Sequence, residues 1–192
     1  MGGLSALALV LSGFLSDEDM FELGIQRSIS ADEIAWTLEL DICALLNGVV
    51  QPDELAEYSR AAIETLGINL NVYAEEAKGM DLNSAECLSS FLRNHIGGGV
   101  GVALVLVDIN ETIGFEAIKV DEKSEAAALD HGVSHWCVLV SVRDDLSAII
   151  ADPRAKSYGR LWKCKLCNLV NGMKAEKGGR RLVVLRSPRR IY

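Results

Sequence analysis

Between Ser134 and Asp152 the side chains alternate in a way that leaves little choice of local fold. Ser134–Val142 is rich in β-branched and aromatic residues, Arg143-Asp144-Asp145 is turn chemistry, and Leu146–Ala151 is apolar again. The pattern predicts a strand, a turn and a returning strand. Such a hairpin puts His135 at the start of its first strand and Asp152 at the end of its second, side by side at one edge of the sheet. A carboxylate there can hydrogen-bond one imidazole nitrogen, fix the tautomer and leave the other nitrogen as a base. The plainer alternative makes His135 a strand-end histidine and Asp152-Pro153 a strand terminator.

The chain has 192 residues, 49% of them hydrophobic, enough for one domain over residues 1–192 with a substantial core. A net charge of -8 argues against nucleic acid as a partner. The cysteines at 43, 87, 137, 164 and 167 are odd in number and mostly in apolar surroundings. That favours reduced thiols and a cytoplasmic setting over a disulfide framework. Leu4–Leu15 is apolar, yet no Lys or Arg precedes it, no A-x-A follows it, and it is too short to span a bilayer. Met1-Gly2 with Ala6 departs from the myristoylation pattern, so no membrane attachment is expected and the stretch reads as a buried helix.

Helix signals fill the first half. An apolar helix is expected over Gly2–Ser12 and a short one from Ser16 to Gly24. Ser30-Ala31-Asp32-Glu33 is a capping box, with Ile34, Leu38, Ile42 and Leu45 as the inner face of a helix packed on the domain; Trp36 on it is either a buried ring, costly to remove, or an exposed one available to a ligand. Pro52 opens a helix to Leu66 that Gly67 closes, Ile68–Tyr73 reads as a strand, and Asn83-Ser84 starts a helix to about His95. Strand signals follow at Val100–Val107, in the hairpin, near Leu161-Trp162 and at Leu182–Arg186, with a short helix over Cys164–Met173. Asp108–Gly132 reads as an irregular acidic lid beside His135. Helices first and an antiparallel sheet after them predict an α+β fold.

An apolar first helix, then a His strand and an Asp strand, is the plan of papain-like thiol enzymes. Within that superfamily the chain resembles the family named soluble or plant-type guanylyl cyclase, related to bacteriocin-leader cysteine peptidases. The resemblance spans nearly the whole chain. It rests on Gly3-Leu4, on Trp36-Thr37-Leu38-Glu39-Leu40 against a W-T-[IV]-D-L segment, and on Val102-Ala103-Leu104-Val105. His135-Trp136 stands where the family has His-Tyr, and Asp152-Pro153 where it has Arg-Asp-Pro. More distantly it is similar to phytochelatin synthases and to the actin-maturing cysteine proteases, whose A-H-W resembles Ser134-His135-Trp136.

The resemblance implies a papain-like cysteine-peptidase fold, N-terminal helices packed on an antiparallel sheet, a peptide or protein substrate, and His135 and Asp152 as base and orienter facing the N-terminus of the first helix. It also implies a nucleophile where this chain has glycine: the relatives read Cys-Gly-Leu, and here the sequence is Gly2-Gly3-Leu4. The glutamine that helps form the relatives' oxyanion site would precede Met1. The expectation is therefore a thiol hydrolase or transpeptidase domain, inactive as it stands and lacking the segment upstream of the nucleophile helix, or a non-catalytic peptide-binding pseudoenzyme. The family name implies a third reading, cyclic GMP from GTP, but no G-x-x-x-x-G-K-[ST] motif supports it. Cys137 beside His135 reads as a buried strand cysteine. Cys164 and Cys167 have zinc-ligand spacing, but even with His131 the set falls short, so neither metal nor cofactor is expected.

Overall fold

A computed structural model describes residues 2–14, 28–41, 51–75, 82–96, 101–108, 116–118, 134–153, 161–173, 175–176, 179–180 and 182–187. The expected Ser16–Gly24 helix and most of the Asp108–Gly132 stretch lie outside these residues. In chain order the elements are α1 (Gly2–Phe14), α2 (Ala31–Thr37), α3 (Pro52–Thr65), β1 (Asn71–Glu75), α4 (Ala85–Ile96), β2 (Gly101–Asp108) and β3 (Glu116–Ile118). After these come β4 (Ser134–Val142), β5 (Ser147–Ala151), β6 (Leu161–Lys165), α5 (Leu166–Gly172), β7 (Ala175–Glu176), β8 (Gly179–Arg180) and β9 (Leu182–Arg186). No described helix is long and apolar enough to cross a membrane.

Local chemistry sets the helix ends. The Ser30 hydroxyl accepts from the Glu33 N–H at 3.1 Å while the Glu33 carboxylate accepts from the Ser30 N–H at 2.6 Å, closing the capping box of α2. The helix stops earlier than the 34/38/42/45 spacing predicts. Leu40 donates to the Ala35 carbonyl and Glu39 to the Trp36 carbonyl, with Glu39 at φ 53. That is a Schellman stop, here with an acid in the left-handed position. Ile42 and Leu45 lie outside the described residues. The same motif ends α3, where Ile68 donates to Ile63, Gly67 to Glu64, and Gly67 sits at φ 64. At the other end of α3, Pro52 takes the first turn and the Glu54 carboxylate accepts the Gln51 N–H at 2.8 Å.

The strands form a seven-stranded antiparallel sheet in the order β1-β9-β2-β4-β5-β6-β3, with β7 and β8 as a separate ribbon. With the helices this is a mixed α+β architecture. Helices cover both faces of the sheet. Leu104, Leu106, Trp136, Val138, Val183 and Leu185 pack with α1, α2 and α3. Their strand neighbours Val105, Val107, Cys137, Leu139, Leu182 and Val184 pack with α4 and α5. Strand geometry turns successive side chains to opposite faces, so β2, β4 and β9 supply both cores at once. Their near-continuous apolar runs are the sequence trace of that double burial.

Three elements depart from the sequence reading. The strand expected from Ile68 forms at Asn71–Glu75, after the Schellman stop has used Ile68. Glu116–Ile118, inside the stretch read as irregular, pairs with β6. Cys164 belongs to β6, and the helix behind it starts at Leu166. Gly101 is held by a close approach: a Cβ there would lie 2.9 Å from the Leu185 carbonyl oxygen and 3.0 Å from that of His95.

Of the two placements open to it, Trp36 takes the exposed one, at 82% exposure, whereas Trp136 is 1% exposed. Ile34 and Ala35, with Leu38 and Leu40, occupy the inner side of α2 and leave the indole outside. Thermal melts should separate the two rings. Trp136→Ala should cost about 3–5 kcal/mol through lost burial and a residual cavity, while Trp36→Ala should stay within about 0.5 kcal/mol of the native protein.

Candidate functional site

His135 is the second residue of β4 and pairs across the sheet with Val107 of β2. Asp152 follows β5 directly, one residue beyond Ala151, whose partner is Val138. The hairpin that holds them in register closes tightly. Arg143 donates to the Ser147 carbonyl at 2.8 Å, Leu146 takes a left-handed φ of 54, and the Ser147 N–H donates to Asp145. From α4, Arg93 reaches over to Asp144 at 2.9 Å and to the Arg143 carbonyl at 3.0 Å, fastening the turn. A bulge at Val140 shifts the register between Leu139 and Ser141, on the turn side of the pair.

His135 Nε2 lies 2.8 Å from Asp152 Oδ1, with the side chains 6% and 4% exposed. A carboxylate only accepts, so the imidazole donates from Nε2, and Nδ1 is then the nitrogen with the basic lone pair. The geometry is that of a buried imidazole hydrogen-bonded through Nε2 to a buried carboxylate.

Gly2 is the residue that the resemblance sets against His135 and Asp152. It opens α1, is exposed, and a Cβ built on it meets no heavy atom within 4 Å. Helix α1 packs on the sheet face of Trp136 and Val138. Alternation turns His135 the other way, with Val107 and Cys137, whose side chains pack in the α4 and α5 layer. Strand parity thus places His135 on the face of β4 opposite the one that packs with α1. The signal was in the sequence: Trp136 and Val138 are the large apolar residues that a buried helix would cover, and they are out of phase with His135.

The cysteines divide by environment. Cys137 is buried on the histidine's face, Cys164 is buried in β6, and Cys87 and Cys167 are exposed. Burial, and secondarily the neighbouring Cys167, pushes the Cys164 thiol up to about 12. Cys43 and His131 lie outside the described residues. Among the described residues no group of three or more His, Cys, Asp or Glu is arranged to hold a metal ion. A cleft of about 580 Å³ between the hairpin turn and the start of α5 is lined by Asp145, Ser147, Lys163, Lys165, Cys167 and others. It opens at the far end of β5 from Asp152.

Two measurements follow from this geometry. A double-mutant cycle of His135→Ala and Asp152→Ala, read by denaturant unfolding, should give a coupling of about 1–3 kcal/mol, since either single change strands a buried polar partner. Peptide mapping after iodoacetamide at neutral pH should find Cys87 and Cys167 modified and Cys137 and Cys164 protected until the chain unfolds. Because folding raises the Cys164 pKa, its contribution to stability should be whole below the ordinary thiol value of about 8.5 and fade as pH climbs towards 12. Compared with known proteins, the chain matches no protein-family model and no curated protein significantly.

Proposed function

We propose that this chain is a papain-like thiol-hydrolase or transpeptidase domain, resembling the plant-type guanylyl cyclase family, that keeps the base and orienter but has glycine at the nucleophile position. On this reading it performs no thiol chemistry at Gly2 as it stands, and it binds peptide rather than cleaving it. The observation that carries the reading is the buried hydrogen bond between His135 and Asp152. An imidazole kept in one tautomer by a sequestered carboxylate is an expensive arrangement in a sheet, where an apolar pair would pack at less cost. Its survival beside an apolar N-terminal helix supports descent from an acid–base site. The reading carries a geometric demand as well: a side chain at position 2 must reach the imidazole round the end of β4, because α1 covers the opposite face.

Gly2→Cys tests it. On this reading a thiol at the start of α1 gains from the helix N-terminus and from the His135 imidazole, so it should label with iodoacetamide faster than Cys87 or Cys167 and at lower pH than the free value of about 8.5. Repeating the pH series on Gly2→Cys combined with His135→Ala, and again with Asp152→Asn, should move the profile back towards that of an ordinary thiol, provided circular dichroism shows each protein folded. Superimposable profiles would mean that position 2 and His135 do not meet. The thiol-enzyme account of the site would then fall.

A further inference from the structure

We propose that the exposed side of α2, centred on Trp36, is a docking site for a Lys- or Arg-bearing segment of a partner protein. The inference does not depend on the reading of the His135–Asp152 pair. Tryptophan is the largest apolar side chain, and one left 82% exposed is a contact surface in search of a partner. The exposure is not the slack of a loosely attached helix. Ile34 and Ala35 are sealed in the core, Leu38 and Leu40 pack against it, and both helix ends are closed by the capping box and the Schellman stop. The helix cannot roll to bury the ring without expelling Ile34 and Ala35. The backbone that presents Trp36 is therefore fixed, and binding through it requires no reordering of the helix.

The surrounding charge selects the partner. Residues 28–41 include Asp32, Glu33, Glu39 and Asp41 and no Lys or Arg. Asp32 and Glu33 lie one helical turn before Trp36 and share its side of α2, with Asp32 exposed. Glu39, also exposed, occupies the left-handed stop where glycine is the favoured residue, so an acid is kept at a backbone cost just beyond the ring. An exposed indole with an exposed carboxylate one helical turn before it and another three residues after it attracts a guanidinium or ammonium group through the ring quadrupole and the acidic charge together. The same charge repels phosphate-rich partners, so the complementary surface is a cationic protein segment.

The test uses the whole chain and a short fluorescein-labelled peptide of alternating arginine and glycine, read by fluorescence anisotropy, with a matched peptide carrying glutamine for arginine. The native protein should bind the arginine peptide and not the glutamine one. Trp36→Ala, which alters no charge, should weaken binding about tenfold, while Trp36→Phe should retain part of it. Asp32→Asn with Glu39→Gln should weaken it further and flatten its salt dependence. Melting curves identify any variant that fails to fold. Undiminished binding by Trp36→Ala, equal binding of the two peptides, or no binding by the native protein would each overturn the proposal. So would concentration-dependent self-association in sedimentation that Trp36→Ala abolishes, because the occupant would then be a second copy of this chain.

Discussion

In β4 each residue turned towards α1 is followed by one turned towards α4 and α5, and from His135 to Leu139 all of them are buried. A strand covered on both faces has no solvent side to relax into. Its neighbours β2 and β9 must then be apolar on both faces too, and helices must be supplied for each. The two cores, the layering and the sheet order follow from that requirement. A one-residue slip of β4 would exchange the contents of the two cores, sending Trp136 into the space of Cys137 and His135 into the space of Trp136. The bulge at Val140 lets the strand leave this regime before the turn, and Val140 is partly exposed there.

The same constraint explains why His135 is bonded as it is. A polar ring at the end of a doubly buried strand has no water to satisfy it, and desolvating it without a partner would cost several times what the bond returns. Asp152 can serve because β5 ends beside it and the chain leaves the ladder there. The carboxylate is held from the backbone of one strand and the imidazole from that of the next. The hairpin turn fixes their offset, and Arg93 fastens that turn from α4. The candidate site is thus a product of sheet register. No flexible loop among the described residues is needed to assemble it.

Helix α2 shows the opposite regime. It is short and lies at the margin of the first core, and its ends are fixed by hydrogen bonds that its own sequence supplies. Packing decides only which side faces in. Four inner residues suffice to anchor it, and the bulkiest side chain is left outside among acids. Local capping and tertiary burial pull apart at this point, and the surface that results is apolar, acidic and rigid together.

Nearest neighbours and strand periodicity account for everything legible in the chain before it folds. The capping boxes, the glycine stop of α3, the hairpin from Ser134 to Ala151, the strand Leu182–Arg186 and the meeting of His135 with Asp152 are all local or hairpin-local. Each depends on residues joined by a short turn, where loop closure is cheap and register is dictated. The face of the sheet that His135 shares is settled by long-range packing, because alternation gives relative orientation and never says which helix covers which side. Tertiary contacts alone also place β1 beside β9 and β3 beside β6, pairings between distant segments that carry no local signal. The spacing of Ile34, Leu38, Ile42 and Leu45 promised a longer helix and left the burial of Trp36 open. A left-handed glutamate and an inner face already filled by Ile34, Ala35, Leu38 and Leu40 decided both.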